Sequence, residues 1–260
     1  MNKKIKNKLL TSLTYANGRN SGKIAVYTKI GAAKRKYRLI DFKRSCVNVG
    51  YVKRVEYDPN RSAFIALICY LNGALSYIIS VERLQLNSKI INYNYNSVSV
   101  STYPTLNIGD VAPLTFINPG TLISNLELYP GMGSSFMRAA GTWAQIVKII
   151  NADYTQVKLR SGEQRLLRSN CKAVVGVTSN IYNNQTKLSK AGQSFYLGVK
   201  PNVRGRAMNP VDHPHGGRTN GGVVPKTPWG KLTKNSPTRS VRKSKKFIIN
   251  KTSNLNFTSI

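Results

Sequence analysis

The segment from Pro201 to Lys246 constrains the fold most, because it lacks what a chain needs to collapse on its own. It holds six Gly, six Pro and eleven Lys or Arg, but a single acid, Asp212. Without apolar periodicity, this stretch buries too little surface to offset the roughly 1–2 kcal/mol of backbone entropy lost per ordered residue. We therefore expect an extended arm that takes its shape from a polyanionic partner.

The charge of the chain is concentrated at its two ends. The 260 residues carry 40 Lys and Arg against 9 Asp and Glu, a formal net charge of +31. Residues 1–61 hold sixteen basic and three acidic side chains, residues 62–163 six and five, and residues 164–260 eighteen and one. Basic flanks around a nearly neutral centre indicate a densely anionic partner such as nucleic acid.

Membrane association and secretion are not expected. The sequence has no apolar run of about 18 residues and no amphipathic cationic helix. The basic N-terminus is followed only by Leu9 and Leu10, so it is interpreted as a basic arm in preference to a cleaved targeting segment. Cys46, Cys69 and Cys171 are isolated, without CxxC spacing, and are expected to be buried reduced thiols instead of metal ligands.

The centre of the chain has the pattern of short β-strands with turns between them. The residues from 64 to 71 are almost continuously apolar, so this strand is expected to be covered on both faces. Asn72-Gly73 then predicts a two-residue hairpin turn, and residues 86–107 are expected to form a loop or poorly ordered insertion. The predicted strands are 36–41, 51–57, 64–71, 74–80, 110–117, 121–128, 143–150, 154–159, 163–167 and 171–177. Their lengths suit two small barrels in tandem.

A basic cluster with one aromatic residue is the first candidate site. Residues 34–38 carry four cations around Tyr37, which places charge against phosphates and leaves the ring free to stack on a base or to pack inward. A solvated charged strand face is the alternative. The loop 19–22 is bounded by glycine and brings backbone N–H groups close to a phosphate. The segment 130–141 is typical of a loop that approaches RNA closely, and it lacks the Gly-Lys-Ser/Thr ending of a nucleotide-binding P-loop.

The C-terminal third contains both histidines of the chain beside its single acid. Asp212 and His213 could in principle serve as a general base or bind a metal. Adjacent side chains usually diverge, however, and no nucleophile motif accompanies them. We instead expect His213 and His215 to donate to RNA phosphate, 2′-OH or base edges, while Gly216 and Gly217 permit tight backbone contact.

Two further features of this third favour nucleic-acid binding. Trp229 follows Pro228, where it either stacks on an exposed base or anchors packing. The run 238–246 is polybasic, which suits phosphate contacts, although a nuclear-localisation type of patch has the same composition.

Several motifs together resemble the bacterial-type large-subunit ribosomal protein two family. They are residues 19–22, 37–44, 55–62, 130–133, 138–142, 208–217 and 227–230. The resemblance implies an all-β fold, with an OB-fold-like barrel followed by an SH3-like barrel and long basic arms. It divides the chain into an N-terminal arm (1–35), an OB-fold-like RNA-binding domain (36–128, with 86–107 variable), an SH3-like barrel (129–200) and a C-terminal tail (201–260).

The resemblance also implies a function, which is that of a structural constituent of the large ribosomal subunit and not of an enzyme. Such proteins bind large-subunit rRNA, organise RNA around the peptidyl-transferase region, and support subunit association and tRNA placement. The implied partners are large-subunit rRNA, other large-subunit proteins and the small subunit at the intersubunit face, without a membrane or a homo-oligomer. No cofactor or metal site is expected, and Mg²⁺ enters only through the bound rRNA. His213 is the family histidine most often proposed to matter for activity.

The residues expected to bind RNA combine these motifs with the cations of both arms. They are Arg19, Lys34, Arg35, Lys36, Tyr37, Arg38, Lys43, Arg44, Arg61, Arg138, Arg204, Arg206, Asn209, His213, His215, Gly216, Gly217, Arg218, Trp229, Lys231, Lys234, Arg239, Arg242, Lys243, Lys245 and Lys246. The alternatives are an RNA-directed hydrolase that uses Asp212 and His213, and a free RNA chaperone or translation regulator. A short N-terminal arm, a trimmed glycine run after His215 and heavy use of Asn, Ile, Lys and Tyr favour a mitochondrial ribosome over a plastid or bacterial cytoplasmic one.

Overall fold

The computed structural model describes residues 9–13, 17–45, 49–94, 105–218, 223–234 and 247–250. Nearly all of their regular structure is β, which confirms the all-β class. The strands are β1 (Leu10–Ser12), β2 (Arg19–Asn20), β3 (Lys23–Ile24), β4 (Lys36–Arg38), β5 (Val49–Glu56), β6 (Ile65–Tyr70), β7 (Leu75–Ile79), β8 (Lys89–Ile91), β9 (Val111–Pro113), β10 (Leu122–Ser124), β11 (Leu126–Glu127), β12 (Ser134–Phe136), β13 (Ala144–Ile149), β14 (Tyr154–Leu159), β15 (Gln164–Arg168), β16 (Lys172–Val175) and β17 (Ile248–Asn250). The helical segments are α1 (Ala191–Tyr196) and the 3-10 turns Leu114–Phe116, Ile181–Gln185 and Gly205–Ala207.

The chain forms two compact units, and each is described by itself. The core unit comprises residues 1–13, 35–187 and 246–260, and the arm unit comprises residues 14–34 and 188–245. No helix among the described residues is both long and apolar enough to cross a membrane.

The first sheet of the core unit has the strand order β7-β6-β5-β8, and all its pairs are antiparallel. Its central strand β6 is covered on both faces, as its apolar run predicted. Ala66 and Ile68 pack with Val52 on one face, while Ile65 and Leu67 pack with Tyr77 on the other. The hairpin between β6 and β7 is confirmed, but its turn has three residues, 71–73, instead of the predicted two, because Gly73 adopts a positive φ of +78° and Asn72 does not.

The second sheet of the core unit has the order β17-β15-β14-β13-β10-β16-β9. Its strands β13, β14 and β15 form the antiparallel meander that the sequence predicted. The apolar side of the sheet encloses a core that includes Ile123, Ile146 and Val157, each fully buried. At one edge, β17 pairs with β15, so part of the predicted C-terminal tail is a strand of this sheet.

The strand pairing differs from the domain division expected from the sequence. Strands β9 and β10 pair with β16, and β11 pairs with β12, although residues 36–128 were assigned to the first domain. A division that follows the pairing would end the first domain before Val111. The two sheets also share an interface within one unit, where Val81, Val111 and Val174 form a common apolar cluster.

The arm unit joins two segments that are distant in sequence. Its β2–β3 hairpin is followed by residues 28–30, which pair with residues 198–200. The Ile30 amide donates to the Gly198 carbonyl at 3.1 Å, and the Lys200 amide donates to the Thr28 carbonyl at 2.7 Å. Residues expected in the N-terminal arm and at the end of the second barrel therefore form one ladder.

Short strands account for most of the differences from the sequence prediction. The strands β1–β3, β8, β12 and β17 were not predicted, because two or three residues are too few to show a period. Strand β8 lies inside the expected 86–107 loop, of which residues 95–104 fall outside the described part. Cys171 is fully buried and Cys69 is partly buried, whereas Cys46 lies outside the described residues.

Candidate nucleic-acid interface

An arginine–aromatic cluster forms in the core unit from residues that are far apart in the sequence. The guanidinium carbon of Arg61 lies 5.9 Å from the ring centroids of both Tyr37 and Phe42. The guanidinium carbon of Arg138 lies 4.7 Å from the centroid of Phe42. Both distances are within the range of cation–π attraction, so the aromatic rings hold the two arginines in place.

Asp58 organises the arginines of this cluster from inside the protein. Its side chain has no exposed surface, and it accepts a 2.6 Å bond from Nε of Arg61, with Nη1 of Arg38 at 3.6 Å. It also accepts the backbone N–H of Asn60 at 3.0 Å. Nearby, Nη1 of Arg35 donates to the Pro59 carbonyl at 2.9 Å. One carboxylate thus orients two guanidinium groups and neutralises one charge.

The cluster has the composition of a site for single-stranded or looped RNA. Its arginines Arg35, Arg38, Arg61 and Arg138 outnumber its single carboxylate, so the cluster retains a net charge of +3. Arginine offers a planar fork of donors that matches phosphate, and guanidinium and aromatic planes also stack on bases. The structure therefore brings five of the predicted RNA-binding residues together, counting Tyr37, and the exposed Lys36 and Lys43 lie beside them in sequence.

Arg44 is buried, and the structure removes it from the set of surface cations. Only 5% of the residue is exposed, and its Nε donates to Oδ1 of Asn92 at 2.8 Å. Burial lowers the pKa of its guanidinium, while the nearby Tyr70, Asp41 and Asp110 act in the opposite direction. Arg44 adopts a φ of 45°. The sequence could not show that Arg44 is buried, because the alternation of inward and outward side chains is lost where the chain leaves a strand.

The small-residue loop 130–133 is held by an internal carboxylate. Glu127 is 2% exposed and accepts the backbone N–H groups of Gly131 at 3.3 Å, Gly133 at 3.0 Å and Lys172 at 3.0 Å. Gly131 and Gly133 both have φ near +80°, which favours glycine. Met132 lies between them and is 72% exposed. The loop therefore presents its backbone and one apolar side chain at the surface.

The histidine loop of the arm unit is packed against its own backbone. His213 is 8% exposed, and its Nδ1 accepts the backbone N–H of His215 at 3.0 Å. The ring therefore carries its proton on Nε2. A Cβ on Gly205 would lie only 2.5 Å from Nδ1 of His213, so glycine is needed there. Among the described residues, no hydrogen bond joins the exposed Asp212 carboxylate to either imidazole.

His215 joins the histidine loop to the segment that contains Lys226 through a hydrogen bond. Its Nε2 accepts the backbone N–H of Lys226 at 2.9 Å. Gly216 is buried, and a Cβ there would overlap the backbone carbonyl of Asn209. Glycine at position 216 thus permits two backbone segments of the protein to approach closely. The exposed Gly217 has a φ of +100° and continues the turn.

Trp229 lies at the tip of a tight turn in the arm unit. The Thr227 amide donates to the Lys231 carbonyl at 2.7 Å, and the Gly230 amide donates back to the Thr227 carbonyl at 2.9 Å. The indole is 71% exposed. Of the two roles weighed for Trp229, this placement favours stacking on a partner over anchoring the protein's own packing.

The remaining predicted residues are separate surface positions. Those exposed on the arm unit are Arg19, Lys34, Arg204, Arg206, Asn209, Arg218, Lys231 and Lys234. Arg239, Arg242, Lys243, Lys245 and Lys246 lie outside the described residues. In the described part of the chain, no group of three or more His, Cys, Asp or Glu side chains is placed to hold a metal ion.

Sequence reasoning did not identify three residues that shape these sites. Phe42, Asp58 and Glu127 were not among the candidates, yet each positions predicted residues or loops. A signal existed for Asp58, since it is one of only three acids in the strongly basic first 61 residues.

Two family models together match most of the chain. The model of "Ribosomal Proteins L2, RNA binding N-terminal domain" matches residues 6–92, and that of "Ribosomal Proteins L2, C-terminal domain" matches residues 107–233. The chain belongs to the ribosomal protein L2 family. The border between the two L2 models falls within residues 93–106, in agreement with the pairing of β9 with the second sheet.

Individual L2 proteins are similar over most of their length. The protein named large ribosomal subunit protein uL2 of Rhodospirillum rubrum is 46% identical over 247 residues, which cover 93% of this chain and 85% of the relative. The proteins of the same name from Paracoccus denitrificans and Ruegeria pomeroyi are 45% and 44% identical, with the same coverage. The family resemblance seen in the sequence motifs is confirmed.

Proposed function

We propose that the protein is a structural constituent of the large ribosomal subunit that binds large-subunit rRNA. The arginine–aromatic cluster around Phe42 and Asp58 carries the proposal, because it is preorganised and cationic and suits RNA better than any other partner. The L2 relatives, which are named as large-subunit proteins, support it. In this role the protein organises RNA around the peptidyl-transferase region and supports subunit association and tRNA placement, alongside other large-subunit proteins and the small subunit.

The two units contribute different contacts in this proposal. The core unit supplies fixed guanidinium groups, whose orientation costs little entropy on binding because Asp58 and Phe42 already hold them. The arm unit supplies exposed cations and Trp229. Its residue range holds sixteen Lys and Arg against the single acid Asp212. Mg²⁺ enters through the bound rRNA, and no resident cofactor is proposed.

A non-enzymatic role is favoured over RNA hydrolysis. A general base needs an imidazole within reach of substrate and an orienting partner. His213 is largely buried, and its Nδ1 is engaged by the backbone N–H of His215 instead of by the Asp212 carboxylate. We further propose a mitochondrial ribosome as the location, from the Asn-, Ile-, Lys- and Tyr-rich composition. Cell fractionation followed by detection of the protein in mitochondrial large subunits tests the location.

Salt-dependent RNA binding tests the function. Binding of the full chain to in vitro transcribed large-subunit rRNA is measured between 50 and 400 mM KCl. Arg61→Ala and Arg138→Ala should each lower the slope of log affinity against log salt by about 0.7–0.9, the value for one lost phosphate contact. Arg54→Ala is the matched control, since Arg54 is 45% exposed and paired with Glu56. A flat salt response, or absence of the protein from large-subunit particles in a gradient, would overturn the proposal.

The same preparation separates the alternative functions. RNA turnover by the purified wild-type protein would favour the hydrolase, and His213→Ala should then abolish that turnover. Loss of the protein from large subunits during a high-salt wash would favour a free chaperone or translation regulator. Stoichiometric retention without turnover is the outcome that the structural role requires.

A further inference from the structure

A groove in the arm unit lies apart from the residues singled out for RNA binding, except for Arg19. Its volume is about 660 Å³, within the range of about 300–1,000 Å³ that accommodates small organic ligands. The side chains that matter for its chemistry are Arg19, Ile24, Val26, Tyr27, Lys29 and Lys200.

Backbone hydrogen bonds shape both walls of this groove. On one side, the Gly18 carbonyl accepts the amides of Ala25 at 2.8 Å and Val26 at 2.9 Å, which closes residues 18–26 into a tight hairpin. Gly18 has a φ of +77°, and a Cβ there would overlap the Val26 carbonyl. On the other side, residues 28–30 pair with residues 198–200. The groove is therefore built by the fold instead of by surface side chains alone.

The chemistry of the groove combines an exposed aromatic face with a cationic rim. Tyr27 is 63% exposed, and the neighbouring Ile24 and Val26 are 47% and 42% exposed. Three cations line the same groove, and no carboxylate does. An apolar protein segment would leave these charges without partners, whereas a nucleotide offers a planar base to the apolar part and phosphates to the rim.

We propose that this groove binds one unpaired RNA nucleotide, with its base stacked on Tyr27 and the flanking phosphates on Arg19, Lys29 and Lys200. The inference rests on the proposed rRNA-binding function and adds a site to it. An unpaired nucleotide is required because the bases of an A-form helix are stacked on one another, so their faces are not available to an aromatic side chain. The groove volume also suits a single nucleotide better than a duplex.

Affinity measurements with the full chain and full-length large-subunit rRNA test the stacking. Tyr27→Ala should weaken binding by about five- to 150-fold, the range reported by alanine substitution at base-stacking positions. Tyr27→Phe should bind like the wild type, because it keeps the ring. Tyr196→Ala is the matched control, since Tyr196 is 77% exposed in the same unit and does not line the groove. Lys29→Ala should lower the salt slope by about 0.7.

Crosslinking identifies the occupant directly. A benzophenone amino acid at position 27, in particles assembled from the variant, should give one reverse-transcription stop in large-subunit rRNA, at a nucleotide that is unpaired by chemical probing. A crosslink to a protein or to a base-paired nucleotide, or wild-type affinity of Tyr27→Ala, would overturn the groove proposal while rRNA binding stands. If the wild-type chain itself does not bind the rRNA, the proposed function fails first.

Discussion

Replacing Asp58 by Asn should destabilise the core unit by about 2–3 kcal/mol. Breaking a buried ion pair by removing one partner costs about 3–5 kcal/mol, whereas an exposed pair contributes about 0–1 kcal/mol. Asp58 has no exposed side-chain surface, but Arg61 and Arg38 keep 15% and 19% of theirs, so water compensates part of the loss. Asn also retains an oxygen for the Asn60 amide. The expected loss of stability therefore lies below the roughly 3–5 kcal/mol for breaking a fully buried ion pair.

Urea unfolding monitored by tryptophan emission measures this change. The chain has two tryptophans, Trp143 in the core unit and Trp229 in the arm unit, so a Trp229→Phe background makes the signal specific to the core unit. With a urea m-value of about 1–3 kcal/mol/M, the midpoint should fall by about 1 M. The double variant with Arg61→Met should show a coupling of at least about 1 kcal/mol, as expected for residues in direct contact.

Asp153→Asn provides the matched control, since Asp153 is an exposed acid in a turn of the same unit. Its effect should stay within about 0.5 kcal/mol. The assignment of Asp58 as the organiser of the cluster is refuted if Asp58→Asn behaves like this control, or if the Arg61 coupling vanishes. The salt slope of RNA binding should not fall in Asp58→Asn, because no cation has been removed.

Three further changes test other parts of the structure. Burial, with a smaller contribution from Glu127, raises the pKa of the Cys171 thiol from its ordinary value of 9.0 to about 12. The unfolded thiol ionises near pH 9 while the folded one does not, so this contribution to stability is present below pH 9 and falls as the pH rises towards 12. Urea midpoints at pH 8 and 10.5 should show this decline, and the decline should be smaller in Cys171→Ala, where the similar contribution of Tyr77 remains. Glu127→Gln should lose about 2 kcal/mol by weakening bonds to three backbone amides, and hydrogen exchange of the 130–133 loop should accelerate; unchanged exchange would contradict the anchoring role. Gly205→Ala should displace the His213 ring and reduce incorporation into particles, while Gly192→Ala, in α1, should not; equal incorporation of the two variants would show that the ring position does not matter for assembly.

The sequence predicted those elements that are specified by local patterns of apolar residues and turn residues. Strand β14 was found with its observed bounds, because the turn residues at 151–153 and 161–162 flank it. The continuous apolar run of β6 likewise predicted burial on both faces. The short strands β2 and β3 carry no such period, and the turn between them consists of Ser21 and Gly22, both at positive φ.

The side-chain roles at the sites were harder to predict because they depend on tertiary partners. Arg38 and Arg44 look alike in the sequence, yet one pairs with Asp58 near the surface and the other lies inside against Asn92. His213 was expected to face RNA, but Gly205 and His215 enclose it. Composition indicates the kind of partner that a cationic segment binds. Which cations face outward depends on the buried carboxylates and amides that pair with them.

The pairing of β17 with β15 means that residues 188–245 are attached to the core unit at both ends. Joining the ends of a 58-residue segment costs about 3–4 kcal/mol of loop-closure entropy, which a three-residue strand must overcome by itself. A ligand that already restricts this segment removes part of that cost. Ordering of residues 188–245 by a bound partner should therefore strengthen the pairing of β17 with β15, and this pairing should in turn favour the ordered arm.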